Sequence, residues 1–231
     1  MIAEKVNPKV TLLFHTPNPE VAVALAAKRT TSKKLPKSLD DESVKSLIRL
    51  VVRRGHHSVL EHAVFTFSIE EISRVCVNQL IRHRIASYSQ RSDRVTKPSK
   101  AVVPRTVFES ERARAIFEKA VEEAFKAYEG LLKIGIPRED ARYVLPFGVE
   151  SQIIVTMNAR ELLHFFKLRC CMRAQEEIRL LAWRMLKLVK EVAPAIFESA
   201  GPPCIFDGRC LEEVDVEKCK AKLSEFVARA L

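Results

Sequence analysis

Two stripes of apolar residues at helical spacing constrain this chain more than any other feature. Ala113, Phe117, Ala120, Ala124, Tyr128 and Leu131 form one; Ile178, Leu181, Met185, Leu188 and Val192 form the other. Side chains three and four positions apart share one helix face, so each stripe predicts a long helix turned toward a core. Both are read as core and not as cofactor boxes. Between them, residues 152–158 (QIIVTMN) read as a strand and residues 159–169 (ARELLHFFKLR) as a helix. Upstream, residues 10–14 and 63–70 have the β-branched and aromatic content of strands. Helices are expected through residues 22–28, with Pro19 in the first turn, over 41–54 with Gly55 as the stop, and over 72–84. Residues 30–41 and the Ser- and Arg-rich stretch 84–100 read as loops. Strands and helices do not alternate regularly. The expected class is therefore α+β rather than a doubly wound sheet.

A chain of 231 residues with 47% apolar content supports one substantial core, so residues 1–231 are expected to form a single domain with a cysteine-containing tail from about 201. No apolar run approaches the ~18 residues that mark a membrane span. The opening MIAEKVNPKV lacks the pattern of a secretory signal. A cytoplasmic protein with no membrane association is expected. The formal net charge of +10 favours an anionic partner: nucleic acid, a membrane surface or small phosphorylated ligands. Charge alone does not choose among them, and a solvated basic surface is the plain alternative.

Cys76, Cys170 and Cys171 lie in helical segments and read as small apolar residues. Cys204, Cys210 and Cys219 cluster in the tail at spacings that match no common zinc pattern. A disulfide there stays open if the source is a thermophile. Only six glycines occur, with no G-x-G-x-x-G or phosphate loop. A dinucleotide, if one binds, must rely on arginines and helix ends.

Residues 79–94 (QLIRHRIASYSQRSDR) are where the chemistry concentrates. They hold four arginines, three serines and one histidine, and no lysine. Arginine without lysine suits planar, two-pronged recognition of phosphate. Gln79 and Arg82, three apart, are expected on one helix face. The serines add hydroxyls beside the guanidinium groups, a combination suited to a nucleotide monophosphate. The bland alternative is a charged helix end running into a wet loop.

The run RHRIASYSQRSDR resembles the signature of flavin-dependent thymidylate synthases, R-H-R-x-x-S-x-x-x-x-S-x-R, and meets it at Arg82, His83, Arg84, Ser87, Ser92 and Arg94. Gly55, His56, Glu61 and His62 match the family's G-H-x-x-x-x-E-H segment. GIPREDARYVLP, around Arg142, and NARELLHFFKLRCCMRAQEEIR resemble later family segments, so the likeness runs over roughly residues 50–180. It implies an α+β protomer with a mixed sheet and flanking long helices, the flavin-dependent thymidylate synthase fold, assembled as a homotetramer with active sites between subunits. It also implies dUMP as substrate, FAD as cofactor, NADPH as reductant and methylenetetrahydrofolate as carbon donor.

Carried over by position, the resemblance implies a dUMP set of Gln79, Arg82, Gln90, Ser92, Asp93, Arg94, Arg142 and Arg169. Its FAD set is Ser58, Glu61, Arg82, His83, Ile85, Ser89, Gln90, Asn158, Arg160, His164 and Arg173. His56 resembles a family histidine near folate and flavin. Reducing the uracil ring places negative charge on it, so cationic donors around the ring stabilise the transition state. Arg169 is expected in that role, with Arg142 and Arg94 on base and phosphate. Ser92 is expected to polarise or position dUMP; a nucleophilic role lacks a nearby general base.

The signature loop departs from its commoner form at Ser89 (usually Asn), Gln90 (Glu), Asp93 (Gly) and Val95 (Tyr). Asp93 is expected to put negative charge beside the phosphate, at a position otherwise free to adopt positive φ. Glu176 stands where Trp is frequent, and His164 and Arg173 replace other polar types. His56, His57 and His62 lack the third-ligand spacing of a metal site, and none is expected. His62 is expected to be hydrogen-bonded and structural, His15 exposed, and Trp183 buried at a subunit contact. Two alternatives accompany the synthase: a diverged relative modifying another pyrimidine nucleotide, and a basic nucleic-acid-binding protein. The second has weak backing, because aromatics are only 7% and no recognised module is present.

Overall fold

Six of the helices begin where a polar side chain satisfies a backbone N–H left over at the helix end. The computed structural model describes residues 3–34, 36, 38–210, 212 and 214–231. In chain order these form β1 (Ala3–Lys5), β2 (Lys9–His15), α1 (Pro19–Thr31), α2 (Asp41–Arg53), a 3-10 turn (His57–His62), β3 (Val64–Ser73), α3 (Arg74–Leu80), β4 (Ala86–Gln90) and β5 (Ala101–Val103). They continue with α4 (Arg105–Phe108), α5 (Glu111–Lys133), α6 (Arg138–Ala141), a second 3-10 turn (Arg142–Val144), β6 (Glu150–Asn158), α7 (Ala159–Arg169), α8 (Glu176–Val192), α9 (Pro203–Phe206) and α10 (Val216–Ala230). Side chains of Asp40, Ser73, Ser110, Asn158, Gln175 and Asp215 cap α2, α3, α5, α7, α8 and α10 respectively. Pro19 opens α1 as expected, and Gly55, at φ 71°, follows α2 in a left-handed conformation that suits glycine.

Strand order is β2-β3-β6-β4 in a four-stranded sheet, and β1 pairs with β5 in parallel, Ala3 opposite Ala101. The fold class is α+β. The chain divides into two compact units: residues 1–9, 69–82 and 88–154 form the first, and residues 10–68, 83–87 and 155–231 the second. Unit boundaries fall inside β2, β3, β4 and β6 and between α3 and β4, so neither unit is one contiguous stretch of chain.

In the first unit, Ile69, Ile72, Cys76, Val77 and Leu80 are buried along the end of β3 and α3. The helix expected over 72–84 is only Arg74–Leu80. Ile72 stays in the strand, and the Ser73 hydroxyl accepts from the Cys76 N–H at 3.0 Å, which fixes the helix start one residue later. The loop expected over 84–100 contains β4. Its polar Ser and Gln residues hid a strand that lies at the end of the sheet order, where exposed polar side chains carry no desolvation cost. On α5, Val121 and Tyr128 are buried, whereas Ala120 is exposed and Phe117 and Ala124 are only half-buried. The expected stripe is buried only at Tyr128, and Val121, outside it, is the other buried position.

In the second unit, α8 buries Ile178, Leu181 and Met185 from the expected stripe, and α7 buries Leu162, Phe165 and Phe166. Phe197 meets Phe65 and Phe166 edge-on, with ring centroids 5.5 and 5.9 Å apart, the geometry that aligns ring edges with ring faces. Trp183 was expected to be buried at a subunit contact. It is buried within its own chain, where Nε1 donates to the Cys170 carbonyl at 3.1 Å. No helix among the described residues is long and apolar enough to cross a membrane. Residues 35, 37, 211 and 213, which fall in the expected 30–41 loop and the cysteine tail, lie outside the described set. Because Phe166 is fully buried between two rings, Phe166→Ala is expected to lower stability by about 3–5 kcal/mol in denaturant unfolding followed by circular dichroism.

Candidate functional site

The first unit gathers guanidinium groups around a turn. Ser92 closes it: the Val95 and Thr96 N–H groups donate to its carbonyl at 3.1 and 2.9 Å, and the Arg94 N–H donates to its hydroxyl at 3.3 Å. Ser92, Arg94, Val95, Pro137, Arg138 and Glu139 line a cavity of about 560 Å³. Arg94 pairs with the Glu139 carboxylate at 2.8 Å, and Arg142 Nε donates to the Glu139 carbonyl at 3.2 Å. Arg138 donates to the Val95 carbonyl, tying α6 to the turn. Of the sequence-derived dUMP set, Ser92 and Arg94 line this cavity, and Arg142 is bonded to the backbone of Glu139, another of its lining residues. An incoming phosphate would displace the exposed Glu139 carboxylate from Arg94, an exchange of one anion for another on a surface pair of small intrinsic strength.

Gln90 Nε2 donates to the buried Ser151 hydroxyl at 2.9 Å, so it is anchored by β6. Gln79 is half-buried in the last turn of α3, but Arg82 lies beyond the helix end at Leu80 and is exposed. The expectation that they share one helix face is corrected: Tyr88 donates to the Leu80 carbonyl at 2.9 Å as the chain turns away. Asp93 is also corrected. Its side chain is buried, not aimed at the cavity, and Oδ2 accepts from Arg74 Nη1 at 2.8 Å. Asp93 does not adopt positive φ, so the turn has no need of glycine there. Sequence reasoning passed over Arg74, Ser151 and Glu139; Arg74, at the first position of α3, was visible only as a charge near a strand end.

The second unit contains His83, Asn158, Arg160, His164 and Arg173, which the sequence expects on the flavin side, together with Arg169. Buried His83 lies edge-on to Phe165, with centroids 4.9 Å apart, and 5.8 Å from the His164 ring. Arg169 Nε donates to His83 Nε2 at 3.0 Å, and His83 Nδ1 lies 3.3 Å from the Glu161 carboxylate. Burial, then the Arg169 and His164 charges, push the His83 imidazole down to about 4, so it is neutral at physiological pH. Burial likewise raises the Glu161 carboxyl, against the opposing pull of His164 and Arg160. Glu161 was missed; its only sequence signal was its place in the first turn after the Asn158 cap.

Arg160 pairs with Glu61 at 2.6 Å, both exposed, and exposed Arg173 faces Glu212 at 3.5 Å. The Asn158 side-chain oxygen caps α7, accepting from the Glu161 N–H at 2.9 Å. His56, Ser58 and Ile85 are exposed in this unit, and Ser89 in the first. His62 is exposed, and its bonded group is the carbonyl, which accepts from Thr16, rather than the ring expected to be structural. His15 is exposed as expected. The six cysteines are free thiols, and no group of three or more His, Cys, Asp or Glu among the described residues is placed to hold a metal.

Two outcomes follow from these geometries. His83 has a folded-state pKa of about 4 against 6.5 when unfolded, so the unfolded chain takes up the proton first on acidification. The neutral ring's contribution is complete above about pH 6.5 and falls away as pH drops toward 4, by up to about 3 kcal/mol. Denaturant unfolding of the parent and His83→Gln across that window should show the smaller drop in the variant. Arg74→Met strands a buried carboxylate and should cost about 3 kcal/mol, with Arg74→Met/Asp93→Asn recovering most of the loss in the same assay.

Comparison with known proteins adds an independent line. The model of the family described as Thymidylate synthase complementing protein matches residues 11–195. A flavin-dependent thymidylate synthase of Geobacter sulfurreducens is 53% identical over 212 residues, which cover 88% of this chain and 91% of that protein. One from Saccharolobus solfataricus is 50% identical over 204 residues, 85% of this chain and 78% of the relative. Among solved structures, the UMP/dUMP methylase PolB of Streptomyces cacaoi bound with 5-Br dUMP aligns with a TM-score of 0.78 at 28% identity, covering 86% of this chain and 96% of that one. With cavity, histidine–arginine pair and signature loop in view, this chain belongs to the Thy1 family of flavin-dependent thymidylate synthases.

Proposed function

We propose that this chain catalyses the reductive methylation of dUMP to dTMP, with FAD as cofactor, NADPH as reductant and methylenetetrahydrofolate as carbon donor. The observation that carries the reading is the cavity where Ser92, Arg94 and Arg138 converge, with Arg142 bonded to the same Glu139. Guanidinium groups in planar, two-pronged reach of an anion suit a nucleotide phosphate better than a general basic surface does. The PolB neighbour, described as a UMP/dUMP methylase, supports a pyrimidine monophosphate there.

The chain's residues fit a flavin. Arg160 and Arg173 are exposed guanidinium groups, each paired with an exposed carboxylate that a pyrophosphate can displace. Exposed Ile85 offers apolar surface beside His83, and Ser58, Asn158 and His164 offer polar atoms. When bound, the flavin supplies hydride transfer, which the side chains here cannot perform. The protein's part is binding and charge. Ser92, Arg94 and Arg142 hold and orient dUMP, with Gln79, Arg82 and Gln90 around it. Arg169 places a fixed positive charge where the pyrimidine ring becomes electron-rich, an interaction stronger in the transition state than in the ground state. His56 lies on the folate side.

Exposed apolar residues support assembly: Phe14 is 71% and Ile116 65% exposed in the single chain. A cytoplasmic homotetramer with active sites completed between subunits accounts for them. The diverged-relative alternative loses one of its supports, because the Asp93 charge is held by Arg74 and not presented to a ligand.

Tritium release from C5-labelled dUMP, with FAD, NADPH and methylenetetrahydrofolate, tests the reading. Release with dTMP formation is expected. No release from dUMP, with turnover of UMP or another pyrimidine, would shift the assignment to the diverged relative, and a colourless protein indifferent to FAD would end it. Ser92→Ala should lower turnover by about tenfold or more.

A further inference from the structure

Arg169 donates through Nε to His83 Nε2, and a guanidinium nitrogen only donates. His83 Nε2 must therefore carry no proton. The ring is neutral, so its single proton sits on Nδ1, and the atom facing Nδ1 is Glu161 Oε1 at 3.3 Å. Glu161 is buried at the start of α7, the helix that ends at Arg169. Two further groups against the ring come from the same helix: His164, 5.8 Å away, and Phe165, 4.9 Å away.

We propose that Glu161 is a positioning residue: by accepting the His83 Nδ1 proton it fixes the tautomer whose Nε2 accepts from Arg169, and so sets the guanidinium that meets the pyrimidine. The functional half of this statement rests on the proposed synthase reading; the tautomer half does not. A buried carboxylate is costly to desolvate, and a leucine of similar size would fill the same space without that cost. What leucine lacks is an acceptor. The chain uses Asn158 to cap the Glu161 N–H, so the backbone of α7 is held independently of the carboxylate.

The logic parallels a histidine oriented by a second-sphere carboxylate, where the group bonded to one ring nitrogen decides what the other can do. Here the far nitrogen receives a guanidinium proton instead of a metal or hydroxyl. If the Nδ1 acceptor is lost, the Nε2–H tautomer becomes available. That form presents a donor to a donor, and Arg169 must move. A displacement of this kind at a charged group costs rate without removing any catalytic atom.

The test compares Glu161→Gln, which keeps an acceptor oxygen, with Glu161→Leu, which does not. Nitrogen NMR of ¹⁵N-histidine-labelled protein at neutral pH should show His83 in the parent as a neutral ring protonated on Nδ1. Glu161→Gln should retain that pattern and, by the same bond, stay within about twofold of the parent in kcat/KM for dUMP. Glu161→Leu should shift toward the Nε2–H form and lose roughly ten- to hundredfold in kcat/KM. A parent ring protonated on Nε2, or on both nitrogens, overturns the proposal even if no variant folds. So does a Leu variant as active as the parent, or a Gln variant as impaired as Leu. If the parent turns over no dUMP, the synthase reading fails by itself, and the NMR comparison still decides what Glu161 does.

Discussion

The contact from Arg169 to His83 is the one on which the functional account depends. A guanidinium at the end of a helix is a flexible charge on a long stem, and a flexible charge stabilises a transition state poorly. Bonding its Nε to a buried, neutral imidazole removes that freedom. The imidazole is neutral because it is buried and flanked by positive charge, and it is buried because Phe165 and the rest of α7 pack around it. One helix thus supplies the apolar wall, the carboxylate at Nδ1 and the arginine at Nε2, all within Ala159–Arg169.

A second economy is visible in the turn at Ser92. A loop dense in arginine repels itself unless carboxylates are interspersed. Here Glu139 takes Arg94 at the exposed side, and Asp93 takes Arg74 on the buried side. The two acids have different fates. The exposed pair can be exchanged for an anionic ligand, whereas the buried pair holds the turn in place. Substitution of Asp for a smaller residue at 93 therefore need not oppose phosphate binding.

Much of this was legible in the sequence, for identifiable reasons. The α8 stripe was read correctly because a helix between packed layers must repeat its apolar residues near every 3.6 positions. The α5 stripe has the same period yet is buried only at Tyr128, because periodicity reports a face and not what covers it. β4 was read as a loop, since an exposed strand at the sheet's end carries the Ser and Gln of a loop. Ser92 and Arg94 line one cavity, Arg142 is bonded to the backbone of Glu139 at its edge, and Arg82 fell outside its helix. Glu161 and Arg74 escaped notice because a paired charge is indistinguishable from a solvated one until its partner is located. Asp93 was misread for the same reason: sequence gives the sign of a charge but not its direction.

Steady-state turnover of dUMP by the FAD-loaded protein tests the central claim most directly when parent and Arg169→Ala are compared. The account predicts that Arg169→Ala lowers kcat/KM for dUMP by about a hundredfold or more. A parent that turns over no dUMP, or an Arg169→Ala protein as active as the parent, would contradict it.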